Sequence, residues 1–336
     1  MKSFEKVCIA IAAVLMMVAS ACDSNAGNRV EIDGSSTVFP ITEAVAGEFQ
    51  KEHDARVTIG VSGTGGGFKK FCRGETAIND ASRPITPVEL ERCKKNGIEF
   101  IELPIAYDGI SVVTHKANDW VDSMTVAELK KIWEPAAQGK ITNWSQVRDD
   151  WPDRELELYG AGVASGTYDY FTKAIVGEEG ASRGDFTSSD DDNVLVKGVS
   201  SDKNSLGFFG FAYYRQNKDK LDAVPIEAEG ASEAVSPTTE TIANGTYQPL
   251  TRPLFIYVKA DAAKKKAVSE FVNYYLSESA PLVEDVGYVA PPESAYKKVR
   301  KRFENRVTGS MFGGEGSKIG VSIDELLEKS TSRGNQ

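Results

Sequence analysis

Histidine is scarce in this sequence, and its scarcity limits the chemistry that the chain can perform. Only His53 and His115 occur among 336 residues, and neither has cysteine or histidine neighbours at the spacing of a zinc site. Basic residues are also in the minority, because 39 lysines and arginines stand against 49 acids, a formal net charge of −10. Such an acidic surface disfavours binding to nucleic acid. We therefore expect no metal, no cofactor and no nucleic-acid partner.

Long apolar runs are missing except at the start of the chain. Two lysines precede an apolar run at residues 7–18, and small residues then lead to Cys22. This pattern is typical of a secretion signal, so residues 1–21 are expected to be a signal peptide. The approach to Cys22 also suggests a lipobox with lipid on the sulfur, although Ala19 stands where leucine is usual; simple cleavage near Ala21 is the alternative. We expect a periplasmic or cell-envelope protein that touches the membrane only through such a lipid.

Cysteine is nearly as rare as histidine. Cys8 lies in the signal and Cys22 at its end, which leaves Cys72 and Cys93. In an exported chain such a pair usually forms a disulfide. Closing the loop between them is worth roughly 3 kcal/mol in the chain-entropy model.

Three segments share one pattern: an apolar strand, a loop rich in glycine and hydroxyl residues, and a helix. They span residues 29–51, 57–74 and 156–176. The start of a helix offers unpaired N–H groups and a partial positive charge, which suit an anion. None of the loops matches a Walker A loop or a dinucleotide fingerprint. Most such loops are only tight turns, but the repetition favours a cage for one small oxyanion.

Repeated β-α-β units predict an α/β fold with a mostly parallel sheet. Capping boxes begin helices at Thr86 and Thr125. The acidic run at 190–192 suggests the start of another helix. Further predicted elements are strands at 100–106 and 110–114 separated by a loop at 107–109, and a strand at 206–214. In the second of the three segments, a Ser/Thr/Gly loop is expected to lead into a short helix that buries Phe68, Phe71 and Cys72 and ends near Gly74.

The order of these elements predicts two domains. Domain 1 would combine residues 29–112 with 253–336, and domain 2 would be the insertion 113–252. The chain would cross between them near 108–112 and 252–255, forming a hinge of two strands. Ligands of such sheets lie beyond the carboxyl ends of the strands, in a crevice, and all three hydroxyl-rich loops are expected there.

The chain resembles the periplasmic phosphate-binding proteins of bacterial phosphate ABC transporters, in particular their lipoprotein branch. The resemblance covers essentially the whole mature chain and rests on residues 34–40, 62–68, 81–85, 107–109, 165–171 and 254–259. It implies the two-lobed type 2 periplasmic binding protein fold, with the ligand cleft between the lobes. It also implies a non-enzymatic, monomeric receptor that binds inorganic phosphate and delivers it to an inner-membrane permease.

The resemblance also implies which residues bind the ligand. In these proteins, hydroxyls and helix N–H groups hold phosphate by hydrogen bonds alone. The matching positions are Ser36, Thr37 and the N–H of Val38 in the first loop, Ser62 and Thr64 in the second, and Ser165, the N–H of Gly166 and Thr167 in the third.

Charged positions depart from the family pattern. Ala161 stands where better-known members have an arginine, and Val163 stands where they have an aspartate. Arg83 in turn replaces an aspartate, so we expect it to be the cationic contact, since its planar fork suits an oxyanion. In the empty form it would be solvated or paired with Asp80 or Asp108. These two aspartates are also the candidates for accepting the proton of hydrogen phosphate, although Asp108 is equally explained as a hinge turn residue.

Two alternatives remain open at this stage. The ligand could be another oxyanion, such as sulfate or molybdate. The protein could instead be a secreted serine hydrolase, with Ser62 or Ser165 as nucleophile and His53 or His115 as base. The segment at 60–64 argues against a hydrolase because it ends in threonine, where a nucleophile elbow has glycine.

Overall fold

Helices and strands alternate along the chain in the structure, a computed structural model that describes residues 28–333. The strands are β1 (Arg29–Gly34), β2 (Arg56–Val61), β3 (Ile78–Ala81), β4 (Phe100–His115), β5 (Met124–Thr125), β6 (Glu157–Ala161), β7 (Thr187–Ser189), β8 (Ser205–Gly210), β9 (Leu221–Ala223), β10 (Ile226–Glu227) and β11 (Thr251–Lys259). The helices are α1 (Phe39–Glu52), α2 (Gly63–Phe71), α3 (Pro87–Lys95), α4 (Val126–Trp133), α5 (Gly166–Phe171), α6 (Asp192–Val199), α7 (Phe211–Gln216), α8 (Thr239–Ala243), α9 (Lys266–Asp285), α10 (Glu293–Glu304) and α11 (Ile323–Arg333). The predicted signal peptide and Cys22 lie outside the described residues. Across residues 28–333, every helix is too short or too polar to span a membrane.

One large sheet connects the molecule. Its strand order is β2-β1-β3-β11-β4-β8-β6-β7, with β9 beside β4. The outer pairs are parallel, as β-α-β connections require, but β11 and β4 pair antiparallel with each other and with their neighbours. The α/β prediction is confirmed. The sheet is mixed rather than mostly parallel, because its two central strands carry the chain from one half of the molecule to the other.

Strand β4 is continuous, whereas the sequence predicted two strands and a loop at 107–109. Asp108 and Gly109 keep their partners on β11, Arg252 and Thr251, so the ladder is not interrupted there. From Ile110 onward the same strand pairs with β8. A glycine and an aspartate suggest a turn in sequence, but the pairing on both sides keeps this backbone extended.

Two large hydrophobic cores lie on either side of that crossing, and a smaller cluster lies around α6. The first contains Phe49, Phe68 and Tyr257, and we call the part of the chain around it lobe 1 (residues 28–109 and 251–328). The second contains Trp133, and Phe171 stacked on Phe208 with ring centroids 3.9 Å apart; we call that part lobe 2 (residues 110–250). Strands β4 and β11 pass from one lobe to the other.

Most helix starts agree with the sequence. Thr86 and Thr125 form the predicted capping boxes with Glu89 and Glu128. The acidic run does begin a helix, because the side chain of Asp191 caps α6. Cys72 and Cys93 form the predicted disulfide.

Two further local predictions are wrong. The glycine run at 63–67 is the first part of helix α2 rather than a loop. Glycine is needed inside this helix because a Cβ on Gly67 would lie 2.6 Å from the Cα of Gly34. The apolar segment 206–214 is not one strand, since β8 ends at Gly210 and α7 begins at Phe211. Both errors arise where the chain packs tightly next to the boundary between the lobes.

Candidate anion-binding site

An arginine and two threonines meet where the lobes face each other. Arg252 is fully buried, and its Nη2 lies 2.8 Å from Oγ1 of Thr167 and 3.4 Å from Oγ1 of Thr37. The two threonine hydroxyls are 3.1 Å apart. Thr37 belongs to lobe 1 and Thr167 to lobe 2, so a single guanidinium contacts hydroxyls from both lobes.

Asp108 holds this guanidinium in place. Arg252 and Asp108 are cross-strand partners on β11 and β4, and Nη2 and Oδ2 are 2.8 Å apart. Oδ1 of Asp108 accepts the N–H of Phe211, and Nη1 of Arg252 donates to the carbonyl of Ser82. Burial raises the pKa of Asp108, and the positive charge of Arg252 opposes that rise. The carboxylate of Asp108, the carbonyl of Ser82 and the hydroxyls of Thr37 and Thr167 thus fix the orientation of Arg252.

A second group of hydroxyls lies beside these residues. Oγ1 of Thr64 is 3.1 Å from Oγ of Ser82 and accepts the N–H of the same serine. Gly166 of lobe 2 packs against both, because a Cβ there would lie 2.6 Å from Ser82 Oγ and 2.7 Å from Thr64 Oγ1. Ser165 caps helix α5 by accepting the N–H of Thr167. Only glycine allows the third loop to approach lobe 1 this closely.

We call Thr37, Thr64, Ser82, Ser165, Thr167 and Arg252 the hydroxyl cage. Each hydroxyl that accepts a hydrogen bond still has a hydrogen to donate. The charge of Arg252 is balanced by Asp108, so the cage offers directed donors with little net charge. Such donors suit the oxygens of a small oxyanion.

Most of the predicted ligands come together here. Thr37, Thr64, Ser165, Gly166 and Thr167 all lie in or against the cage. Asp108 lies directly behind it.

The other predicted ligands of the first two loops take different positions. Val38 is the buried residue that precedes α1, and the carbonyl of Ser36 accepts the hydroxyl of Tyr213. The hydroxyl of Ser62 makes none of the contacts of the cage described above and donates instead to Asp33, whose carboxylate also binds Lys70.

Arg83 is placed differently from the prediction. Its guanidinium pairs with Glu89 at 2.8 Å and with Asp169 at 2.6 Å, rather than with Asp80 or Asp108. Glu179 lies 3.9 Å away, and the Pro84 carbonyl accepts another of its hydrogens. Carboxylates therefore occupy the fork that the sequence analysis assigned to the ligand. Because Glu89 belongs to lobe 1 and Asp169 to lobe 2, Arg83 connects the lobes beside the cage.

Asp80, the other candidate proton acceptor, lies in the interior of lobe 1. It is fully buried, and burial raises its pKa to about 8. A hydrogen bond from Thr42 opposes that rise, and the nearby charge of Asp33 adds to it. Its surroundings thus differ from those of Asp108, which faces Arg252.

Sequence reasoning missed Arg252 and Ser82. The sequence did place both residues near the predicted site, since Arg252 begins one of the two predicted crossings and Ser82 stands next to Arg83 in a family motif. Their roles depend on cross-strand register and on which way the Arg83 side chain turns, and neither can be read from spacing.

The serine-hydrolase interpretation finds no support in the contacts. The ring of His53 stacks on Phe49, and Nδ1 of His115 accepts the N–H of Ala117. The hydroxyl of Ser62 is bound to Asp33 rather than to a histidine. Across the described part of the chain, no cluster of three or more histidine, cysteine, aspartate or glutamate side chains could hold a metal ion.

The fold and this site are those of a two-lobed binding protein, and comparison with known families agrees. The family model described as a PBP superfamily domain, PBP_like_2, matches residues 20–279. The chain therefore belongs to the PBP superfamily, and the predicted type 2 periplasmic binding protein fold is confirmed.

Individual relatives carry more specific names than the superfamily does. Protein SphX of Synechococcus elongatus is 52% identical over 300 residues, covering 89% of this chain and 88% of its own. The phosphate-binding protein PstS of Staphylococcus epidermidis is 37% identical over 294 residues, covering 85% and 88%. Among solved structures, a putative phosphate ABC transporter substrate-binding protein from Clostridium perfringens, with bound phosphate, is 29% identical with a TM-score of 0.66, covering 79% of this chain and all (100%) of its own.

Proposed function

We propose that this protein binds inorganic phosphate between its lobes and delivers it to an inner-membrane ABC permease, without catalysing a reaction. The observation that carries the proposal is the buried guanidinium of Arg252, whose Nη2 contacts both Thr37 of lobe 1 and Thr167 of lobe 2. The names of the relatives support phosphate as the oxyanion.

The ligand would take over hydrogen bonds that the cage now makes internally. Phosphate oxygens would accept from Arg252 and from the hydroxyls of Thr37, Thr64, Ser82, Ser165 and Thr167. The N–H groups of Val38 and Gly166 would complete the shell. Asp108 would orient Arg252 rather than touch the ligand. Because the donors come from both lobes, binding and closure are coupled: the ligand stabilises the closed form by its extra contacts there.

Movement of the lobes about β4 and β11 is part of the proposal. The moving units would be the predicted domains, residues 29–112 with 253–336 and residues 113–252. Two strands that cross between packed cores are a common form of hinge, in which a few residues absorb the rotation. Such a rotation would separate Thr37 from Thr167 and open the cage to phosphate.

Calorimetric titration of the purified mature protein tests the ligand. Phosphate and arsenate should bind, whereas sulfate and molybdate should bind far more weakly or not at all. Tighter binding of sulfate or molybdate than of phosphate would identify another oxyanion receptor. Failure of all four to bind would refute an anion receptor altogether.

The proposed setting is the cell envelope. Export by the signal at 1–21, a monomeric state, and a lipid on Cys22 would keep the receptor close to its permease. Mass spectrometry of the mature N-terminus tests the lipid, because an unmodified chain that begins at or after Cys22 would exclude it. Phosphate-stimulated ATP hydrolysis by a permease in vesicles would test delivery.

A further inference from the structure

Asp192 is a buried carboxylate that the cage described above does not use. It is the first residue of α6 and is only 1% exposed. Its Oδ2 has no hydrogen-bond partner among the described residues. Burying a carboxylate without a partner is costly unless the group is neutral or a partner arrives with a ligand.

The packing of α6 places Asp192 on the buried face of the helix. Asp192, Leu195, Val196 and Val199 are all buried and fall at i, i+3, i+4 and i+7, on one face of the helix. That face packs in a cluster with residues of β4, β8 and α7. Asp192 is therefore the last member of the buried face at its N-terminal end.

The direction of α6 places that end beside the site. The hydroxyl of Ser205, at the start of β8, donates to the carbonyl of Val199 at the end of the helix. The helix therefore runs back along β8, and over about 12 Å Asp192 approaches the far end of the strand, Gly210. A Cβ on Gly210 would lie 3.3 Å from Thr37 Cγ2 and 3.6 Å from Asp108 Oδ2.

Electrostatic coupling agrees with this position. Burial, with smaller contributions from the negative charges of Asp108, Asp191 and Asp190 and an opposing one from Arg252, raises the pKa of Asp192 to about 7. Burial is the main cause of the raised pKa of Tyr213 and Tyr288, which lie on other elements, and the charge of Asp192 adds to it. The carboxyl is thus coupled to both members of the ion pair behind the cage.

We propose that Asp192 discriminates between oxyanions that carry a hydrogen and oxyanions that do not. When ionised, it accepts the hydrogen of a protonated oxyanion such as hydrogen phosphate or hydrogen arsenate, and it repels sulfate, which has no hydrogen to donate. When protonated, it donates a hydrogen bond and no longer discriminates. This inference rests on the proposed function, because it assumes that the cage is an oxyanion site.

The proposal predicts an opposite pH dependence for the two kinds of anion. Sulfate needs the protonated form of Asp192, so its binding should take up one proton and weaken as the pH rises through 7, approaching tenfold per pH unit above it. Phosphate carries its own hydrogen and should keep its affinity over the same range. The preference for phosphate over sulfate should therefore grow with pH.

The test compares the parent with Asp192→Asn and with Asp191→Asn, by calorimetry with phosphate and sulfate at pH 5.5, 7 and 8.5. Asparagine keeps the shape of Asp192 and can donate to sulfate or accept from phosphate. Asp191→Asn removes the same charge one residue away, at an exposed position, and still caps the helix. In Asp192→Asn we expect the phosphate-to-sulfate affinity ratio at pH 8.5 to fall at least tenfold, and sulfate binding to lose its pH dependence. Asp191→Asn should keep the pH-dependent preference of the parent, with its midpoint at a slightly lower pH because one charge that raises the pKa of Asp192 is gone.

Two results would overturn the inference. One is an Asp192→Asn variant with the ratio and pH profile of the parent; the other is an equal change in Asp191→Asn, which would show a long-range effect of charge. A measurement on the unmodified protein adds an independent check, because proton uptake on sulfate binding can be obtained in buffers of different ionisation enthalpy. Absence of uptake at pH 8 would also contradict the inference. A parent that binds no phosphate would instead refute the proposed function.

Discussion

Arg252 and Asp108 face each other across the two strands that join the lobes, and their side chains form an ion pair with no exposure to solvent. Removing two charges from water is expensive, and a buried pair of this kind often contributes little to stability. Here the pair fixes the direction of a guanidinium whose remaining hydrogens reach Thr37 and Thr167. We infer that it serves the binding site more than the stability of the fold.

Replacing Arg252 by lysine tests that role. Lysine keeps the charge but loses the planar fork that contacts Asp108 and both threonines at once. We expect phosphate affinity to fall at least tenfold, or about 1.4 kcal/mol, as measured by calorimetry. Arg183→Lys is a matched control, since Arg183 is also buried and paired, with Asp185, but lies inside lobe 2. Equal losses of affinity in the two variants would mean that the effect is one of general stability.

The hydroxyl of Thr167 should matter more than that of Ser62. Thr167→Val leaves Arg252 and the ligand each short of a partner, a loss of about 1–3 kcal/mol, whereas Thr167→Ser restores the hydroxyl. Ser62→Ala should leave phosphate affinity nearly unchanged, because that side chain is bonded to Asp33. Calorimetry on the three variants checks the order. A large loss in Ser62→Ala with none in Thr167→Val would reverse our assignment of the second loop.

The sequence predicted the parts of the site that depend on local pattern. Helix starts at Thr86 and Thr125, the disulfide, and the hydroxyls of the three loops follow from spacing and turn chemistry. The resemblance to a family supplied the choice among those hydroxyls. One local pattern was misleading. The glycines at 63–67 predicted a loop but are helical, and glycine is needed at position 67 because of the close contact with Gly34.

The charged residues could not be predicted in the same way. Arg83 was expected at the ligand because it is a cation beside a motif, but three carboxylates surround it, two of them from lobe 2. Arg252 reaches the cage because its strand pairs in register with Asp108. Such choices depend on long-range pairing, which leaves no periodic signal in a single sequence.

Asp169→Asn tests whether Arg83 holds the lobes together. The substitution removes the carboxylate of lobe 2 that contacts Nε of Arg83 and keeps the pair between Arg83 and Glu89 within lobe 1. We expect faster release of phosphate, with affinity reduced by roughly tenfold, since related complexes differ mainly in dissociation rate. Stopped-flow fluorescence can measure the release. An unchanged release rate would show that this pair does not contribute to closure.

The disulfide should stabilise the fold without contributing to binding. Cys72 and Cys93 are fully buried and 21 residues apart, and both lie within lobe 1. Replacing both by alanine should lower the free energy of unfolding by roughly 3 kcal/mol, chiefly through the entropy of the unfolded chain. Urea denaturation measures that change, and phosphate titration should show the parent affinity. Weaker phosphate binding in a variant that is still folded would contradict this division of roles.

Stability should fall as the pH rises from about 4 towards 8, and Asp80 should be one cause. Its pKa is about 8 in the folded protein, whereas an exposed aspartate titrates near pH 4. Between these values the folded protein keeps a proton that the unfolded chain releases, so each rise in pH favours unfolding. Asp80→Asn cannot ionise, and its advantage in unfolding free energy over the parent should grow by up to about 1.4 kcal/mol per pH unit. Urea denaturation of both proteins at pH 5, 6 and 7 measures this difference. A constant difference across that range would mean that Asp80 is ionised in the folded protein.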